Sequence, residues 1–333
     1  MLFLTIGKQR GMQQIANERG IITVTAIDHR GSLKKMLEKA MPGRAIGFDE
    51  IVTEKLRMTR ILAPLSTAVL LDPVYGAGPA VASGAIPGRV GLLVALEESG
   101  YEGGSEGRIT PTTPGWSVAK IKRMGAAAVK VLLYYHPKAE VAGKQEDLVK
   151  RVAEECQKHD IPFLLEPMSY PIRPKQKKES ADFAREKPAI VLESARRLTG
   201  LGIDLLKAEF PDDPNFETDE ARMRDNCREL TETSPVPWVI LSAGETFSVF
   251  QRQVEIACQE GASGFMVGRA IWQEGMTLPD AAQRDRFLQT TAISRLQILT
   301  AIANAYGTPW TAKFSDPDWG LAMQEGWHMA YEA

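Results

Sequence analysis

The sequence predicts an α/β fold in which eight parallel strands close into a barrel, and three observations carry that prediction. Eight short runs rich in Val, Ile and Leu recur along the 333 residues. They are continuous rather than alternating, as strands buried on both faces should be. Amphipathic helical patterns lie between most of them, and strand–helix alternation is the signature of parallel α/β folds. Glycine punctuates several returns to the sheet, in GAAAVKVLL, GIDLLKAEF and GASGFMVGR, where a helix C-terminus precedes a strand.

In chain order the predicted strands are Ile22–Ile27, Thr67–Leu71, Val90–Leu96, Ala127–Leu133, Ile161–Leu165, Ile203–Ala208, Trp238–Leu241 and Gly264–Val267. Eight strands favour a closed (β/α)₈ TIM barrel over an open sheet. In Glu146–Lys158 the residues Leu148, Val149, Val152, Ala153 and Cys156 share one helical face. In Ser248–Gln259 the residues Val249, Phe250, Val254, Ala257 and Cys258 do likewise. The link Asp72–Arg89 is too short for a long helix and reads as a short helix or a loop. Three segments read as additions to a minimal barrel: the loops Ser99–Gly115 and Tyr170–Pro188, and a C-terminal helical extension after Gly275. No linker separates two cores, so residues 1–333 are expected to form a single barrel domain.

Composition excludes several classes. A formal net charge of −2 gives no reason to expect nucleic acid or an anionic membrane as partner. No apolar run is long enough to span a membrane, and the start MLFLTIGKQRGMQQ has too short an apolar core for a secretory signal. A cytoplasmic protein is expected. Cys156, Cys227 and Cys258 lack any CxxC spacing and read as small core residues in a reducing compartment.

Function in such a barrel sits at the C-terminal ends of the strands. The polar residues there are Asp28, His29 and Arg30 after strand one, Asp72 after strand two, and Glu97 and Glu98 after strand three. Strand four carries Lys130, strand five ends in Glu166, and strand six carries Lys207 and Glu209. Strands seven and eight end in Ser242-Ala243-Gly244 and Gly268-Arg269.

Lys207 is the sharpest signal, because a charge inside an apolar strand is costly unless paired. One reading is a strand-end lysine paired with Glu166 or Glu209. The other is an amine whose pKa is lowered by burial, with Lys130 as a second cation lowering it further. A neutral amine attacks a ketone to form an imine. Glu166, held at the rim by the proline that follows it, suits proton transfer beside such a lysine, or a salt bridge that neutralises Lys130 or Lys207. Asp28 could stand near an imine or simply pair with Arg30. Ser242, Gly244, Gly268 and Arg269 suit phosphate, with backbone N–H groups approaching the anion and a guanidinium clamping it. Of the four histidines, His29 and His136 stand at the rim, and with Asp28 and Glu166 they could in principle hold a divalent metal. No HxH or HxxxH spacing supports that reading.

Together these residues resemble the class I tagatose-1,6-bisphosphate aldolase family. The matching pieces are AIDHRG at 26–31, VKVLLYY at 129–135, LEP at 165–167, LLKAEFP at 205–211, LSAG at 241–244 and VGRA at 267–270, in matching order from about residue 10 to the end. The resemblance implies a barrel lyase with no metal or cofactor. It implies Lys207 as Schiff-base former, Glu166 as proton-transfer residue, and Asp28 and Lys130 as active-site partners. Ser242, Gly244, Gly268 and Arg269 would hold a phosphate, and Arg30 and His29 would contact substrate. His29 departs from the family pattern, which has glutamine there. The sulfofructose-phosphate aldolases look similar in the same motifs and differ in the distal anion. The expected partner is a small sugar phosphate, and a homo-oligomer is expected. Two other readings remain open: a phosphate-binding isomerase or epimerase that forms no imine, and a non-catalytic sugar-phosphate sensor.

Overall fold

A computed structural model of the chain describes residues 4–104, 106–314 and 325–331. The strands β1 (Ile22–Ala26), β2 (Ala68–Leu71), β3 (Gly91–Ala95), β4 (Ala128–Tyr134), β5 (Phe163–Met168), β6 (Leu205–Ala208), β7 (Trp238–Leu241) and β8 (Gly264–Val267) follow one another around a closed, wholly parallel barrel. The ring closes where Ile22–Thr25 of β1 pair with Gly264–Val267 of β8. The predicted (β/α)₈ architecture is therefore the observed one.

Side-chain alternation creates two cores from these strands. Val24, Leu70, Leu93, Ala128, Leu164, Leu205, Val239 and Met266 point inward and fill the barrel. Their neighbours Val69, Val94, Val129, Leu165, Leu206, Ile240 and Phe265 point outward and pack under the helices. The same parity decides where the charged residues go. Two residues beyond Ala128, Leu164 and Leu205 stand Lys130, Glu166 and Lys207, which therefore face the interior at the C-terminal end. The other end is plugged. Helix α1 (Ile6–Ile15) lays Met12 and Ile15 across it, and Lys8 pairs with Asp204 at 2.9 Å.

Around the barrel lie α2 (Gly31–Ala40), α3 (Phe48–Leu62), α4 (Ala77–Ala82), α5 (Val118–Arg123), α6 (Ala142–Lys158), α7 (Ala181–Leu198), α8 (Glu220–Thr233), α9 (Phe247–Gln259) and α10 (Arg269–Met276). After them come α11 (Ala281–Phe287) and α12 (Ile293–Tyr306), the predicted helical extension. The link after β2 holds a helix of six residues, α4.

Three differences from the sequence reading have physical causes. Strand β5 begins later, after Pro162, and runs on through Glu166 and Pro167, where Leu132 to Tyr134 pair with Glu166 to Met168. The segment Tyr170–Pro188 is not all loop, because α7 begins at Ala181 and contains Pro188. An interior proline costs about 3 kcal/mol. Phe183, Ile190, Val191 and Leu198 on the buried face each return about 1.5–3 kcal/mol, so the helix continues. Finally, Ser99–Gly115 is a flap built on antiparallel pairings of Glu97 with Thr112 and Glu102 with Ile109.

Candidate active site

At the C-terminal end of the barrel a cavity of about 600 Å³ opens between the strand tips. Its floor is a cluster of charges. Lys130, buried, directs its ammonium to Asp28 Oδ2 at 2.8 Å, Glu97 Oε1 at 2.6 Å and Glu166 Oε2 at 3.0 Å. An ammonium has three protons, and here three carboxylates face it. Burial works against its charge, but Asp28, Glu166 and Glu97 outweigh burial and hold its pKa well above the usual lysine range. Asp28 is the counterpart. Burial would raise its pKa, yet Lys130, with Lys207 and His29 beyond it, holds the carboxyl well below the usual range.

Lys207 places Nζ 2.8 Å from Glu166 Oε1, on the opposite oxygen from Lys130. Of the two arrangements the sequence leaves open, the geometry has the paired one: Glu166 stands between the lysines and contacts both, so they do not face each other as neighbouring cations. Glu209, the other partner considered for Lys207, is bound elsewhere. It accepts from Lys178 at 2.8 Å and from the Ser169 N–H at 2.7 Å, and so ties the loop before α7 to the end of β6.

The tips of β7 and β8 form an open corner. Ala243 and Gly244 take positive φ values of 49° and 90°, which turn the chain sharply after Ser242. A Cβ on Gly244 would fall 2.8 Å from the Arg269 guanidinium carbon, so glycine is needed for the arginine to lie there. Gly268 precedes α10, and no side chain caps that helix, so its first N–H groups lack a side-chain acceptor. Arg269 Nη2 donates to the Ala243 carbonyl at 3.2 Å, and the guanidinium lines the cavity.

His29 also lines the cavity, edge-on to Trp272 at 5.0 Å. Burial pushes its pKa down to about 3 against the pull of Asp28, so the imidazole is neutral near pH 7. Arg30 lines the cavity as well, but its Nη2 is committed to the Glu97 carbonyl at 2.6 Å. The other rim histidine lies away from this cluster: His136 meets the Tyr170 ring edge-on and accepts from the Lys138 N–H.

The structure thus gathers Asp28, His29, Arg30, Lys130, Glu166, Lys207, Ser242, Gly268 and Arg269 around one cavity, with Gly244 directly behind Arg269. Glu97 belongs to the same cluster and was left without a role by the sequence reading. A signal for it existed, since Leu93 faces inward and parity carries Glu97 to the same side. Asp72 is a strand-end residue of another kind. Fully buried, it pairs with Lys55 at 2.6 Å, and Lys55 in turn donates to the Ile27 carbonyl just before Asp28.

The buried lysine–carboxylate cluster and the arginine corner at the open end of the barrel fit a lyase of the aldolase class, and the comparisons with known proteins agree. The model for the DeoC/LacD family aldolase matches residues 22–274, and the chain belongs to that family. It is 33% identical over 337 residues to the tagatose 1,6-diphosphate aldolase of Listeria monocytogenes serotype 4a (strain HCC23), covering 94% of this chain and 96% of that one. It is 32% identical over 332 residues to tagatose 1,6-diphosphate aldolase 2 of Enterococcus faecalis (strain ATCC 700802 / V583), covering 94% and 98%. Among solved structures, an archaeal fructose 1,6-bisphosphate aldolase superposes with a TM-score of 0.56 at 20% identity, over 88% of this chain and 98% of that one. The Plasmodium falciparum fructose-bisphosphate aldolase superposes with a TM-score of 0.66 at 12% identity, over 92% and 98%. At those identities the superpositions speak for the barrel alone.

Proposed function

We propose that this chain is a class I aldolase that cleaves a ketose 1,6-bisphosphate such as tagatose 1,6-bisphosphate to dihydroxyacetone phosphate and glyceraldehyde 3-phosphate. The observation that carries the reading is Lys207 Nζ beside Glu166 at 2.8 Å, at the floor of a cavity whose β7–β8 corner can accept an anion. The relatives named tagatose 1,6-diphosphate aldolase support the substrate class.

In this reading Glu166 takes a proton from Lys207, the freed amine attacks the C2 ketone, and the same proton passes to the carbinolamine hydroxyl, which leaves as water to give an iminium and the Glu166 carboxylate. Glu166, in contact with that nitrogen, takes the proton from the C4 hydroxyl. The C3–C4 bond breaks, its electron pair moves into the iminium to give an enamine, and the aldehyde leaves. Protonation at C3 restores the iminium, and water releases the ketone and the free amine. The iminium nitrogen is the electron sink, so the route needs no cofactor or metal. Lys130 keeps Glu166 and Asp28 in place and offsets their charge. Asp28, ionised, faces the developing cation. Ser242, Gly244, Gly268 and Arg269 hold one phosphate, while His29 and Arg30 stand toward the rest of the sugar.

Residues 1–333 act in this reading as one barrel domain. Three buried free cysteines support a reducing, cytoplasmic setting. Exposed Phe48, Val74 and Val81, with the Phe48 ring tilted against Tyr75 at 5.5 Å, support a homo-oligomer. No helix among the described residues is long and apolar enough to cross a membrane.

The test is an assay of the purified protein with tagatose 1,6-bisphosphate, with and without EDTA, following triose phosphate release. Equal turnover in both is expected. Binding of the sugar without cleavage would favour a sensor, and loss of turnover in EDTA would require a metal.

A further inference from the structure

Glu97 is the one member of the charge cluster to which the reaction above gives no part. Its carboxyl group is buried and lies at the cavity wall. Oε1 makes the shortest of the three contacts to Lys130, at 2.6 Å, while Oε2 is buried with no hydrogen-bond partner. Burial raises the pKa of this carboxyl group, with Lys130 pulling the other way.

The backbone at Glu97 is fixed from two sides. Arg30 Nη2 from the β1 loop and Thr113 Oγ1 from the far arm of the flap both donate to its carbonyl, at 2.6 and 2.9 Å. Flap pairings on either side, Thr113 N to Leu96 O at 2.9 Å and Glu98 N to Pro111 O at 2.8 Å, lock the segment in register. A buried acid held this firmly, with half of its acceptor capacity idle, is poorly explained as a stability element. Stability alone would be served by an apolar side chain there, because a buried ion pair rarely gains more than it loses in desolvation.

We propose that Glu97 is a positioning residue for the cleavage: it fixes the Lys130 ammonium so that Lys130 holds Asp28 and Glu166 in register around the Lys207 amine. The geometry gives the reason. Lys130 is a long side chain with four rotatable bonds; its ammonium donates to Asp28 and Glu97 and pairs with Glu166 at 3.0 Å. Without Glu97 the ammonium relaxes toward Asp28 and Glu166, and the carboxylate that must reach the C4 hydroxyl moves with it. A displacement of about 1 Å in a reacting group costs on the order of a hundredfold in rate. The proposal rests on the imine reading of Lys207.

Glu97→Gln keeps the shape and removes the charge, and Glu97→Asp keeps the charge and withdraws it by one methylene. Each variant is reacted with dihydroxyacetone phosphate and borohydride to count sites in which Lys207 forms the imine. Turnover and KM are then expressed per labelled site. Glu97→Gln is expected to label as fully as the wild type, to lose about tenfold to a hundredfold in kcat, and to keep KM within about threefold. Glu97→Asp is expected to lose less, and it carries the test if the glutamine variant does not fold. An unchanged kcat per labelled site overturns the proposal, whether labelling is complete or has fallen with the folded fraction, because either result leaves Glu97 a structural residue only. Absence of label in the wild type would overturn the imine reading itself and this proposal with it, so the two failures are told apart by the wild-type control.

Discussion

The two ends of the barrel both bury a lysine against acidic side chains, and they do so differently. At the N-terminal end Lys8 meets both carboxylate oxygens of Asp204, at 3.1 and 2.9 Å, and the Phe163 N–H also donates to Oδ2 at 2.8 Å. Charges match one to one, and α1 covers the pair. At the C-terminal end Lys130 and Lys207 share Glu166, Lys130 also holds Asp28 and Glu97, and the cluster opens into a cavity. Single carboxylate oxygens there, Glu97 Oε2 among them, are left without a hydrogen-bonding partner. The comparison teaches that burial of a lysine is not itself a functional sign. A balanced, covered pair is a structural solution to a buried charge, and an unbalanced, open one leaves capacity for a substrate.

That contrast can be broken by substitution at either end. Lys207→Met should cause the largest change, a fall in turnover of at least about 10⁴-fold with the melting temperature nearly unchanged. Triose phosphate release, alongside thermal melting, measures both. Glu166→Gln comes next, with a loss of roughly 10²- to 10⁴-fold in kcat, as removal of a general base commonly gives. Substantial turnover in either variant would assign the chemistry elsewhere.

Arg269→Gln should act more gently, raising KM for a bisphosphate by about tenfold or more with a smaller effect on kcat, because it removes a charged hydrogen-bond donor to a phosphate. Steady-state kinetics on bisphosphate and monophosphate ketoses would locate the lost contact.

Lys8→Met should have the smallest effect on chemistry and a large one on stability. It leaves Asp204 buried without its cation, at a cost of about 3 kcal/mol, while kcat per folded molecule stays at the wild-type value. Burial already raises the pKa of Asp204 above the usual carboxylate value, and Lys8 opposes that rise. In the variant the folded state therefore binds a proton more tightly than the unfolded one, so stability should fall as pH rises above the unfolded pKa and recover on acidification. Denaturant titrations across that range would check the sign. A fall in kcat per folded molecule would mean that the two ends are coupled and that the contrast is wrong.

The site was legible where strand periodicity met charge. Lys130, Glu166 and Lys207 interrupt apolar strands, so each had to face the barrel interior or the helix layer, and alternation from Ala128, Leu164 and Leu205 gives the interior. The glycine-rich tips of β7 and β8 were legible for a similar reason, since few residue types allow the turn at Gly244. Glu97 was harder, because two glutamates stand side by side at the end of β3 and either reads as a solvated rim residue. Arg30 lines the cavity, as its sequence reading as a substrate contact requires; that one of its nitrogens also reaches the Glu97 carbonyl depends on a long side chain and on the flap geometry, which local sequence does not encode. Pro188 shows the opposite failure. Local propensity predicted a loop, and burial of one face of α7 overrode it.

The central claim is that Lys207, beside Glu166 at the open end of the barrel, is an imine-forming amine. Its most direct test is borohydride reduction of the wild-type protein with dihydroxyacetone phosphate in EDTA, read by intact mass and peptide mapping. The account predicts one adduct per chain, carried by the peptide that contains Lys207. A protein that turns over ketose bisphosphate at full rate yet acquires no adduct, or acquires it on another lysine, would contradict it.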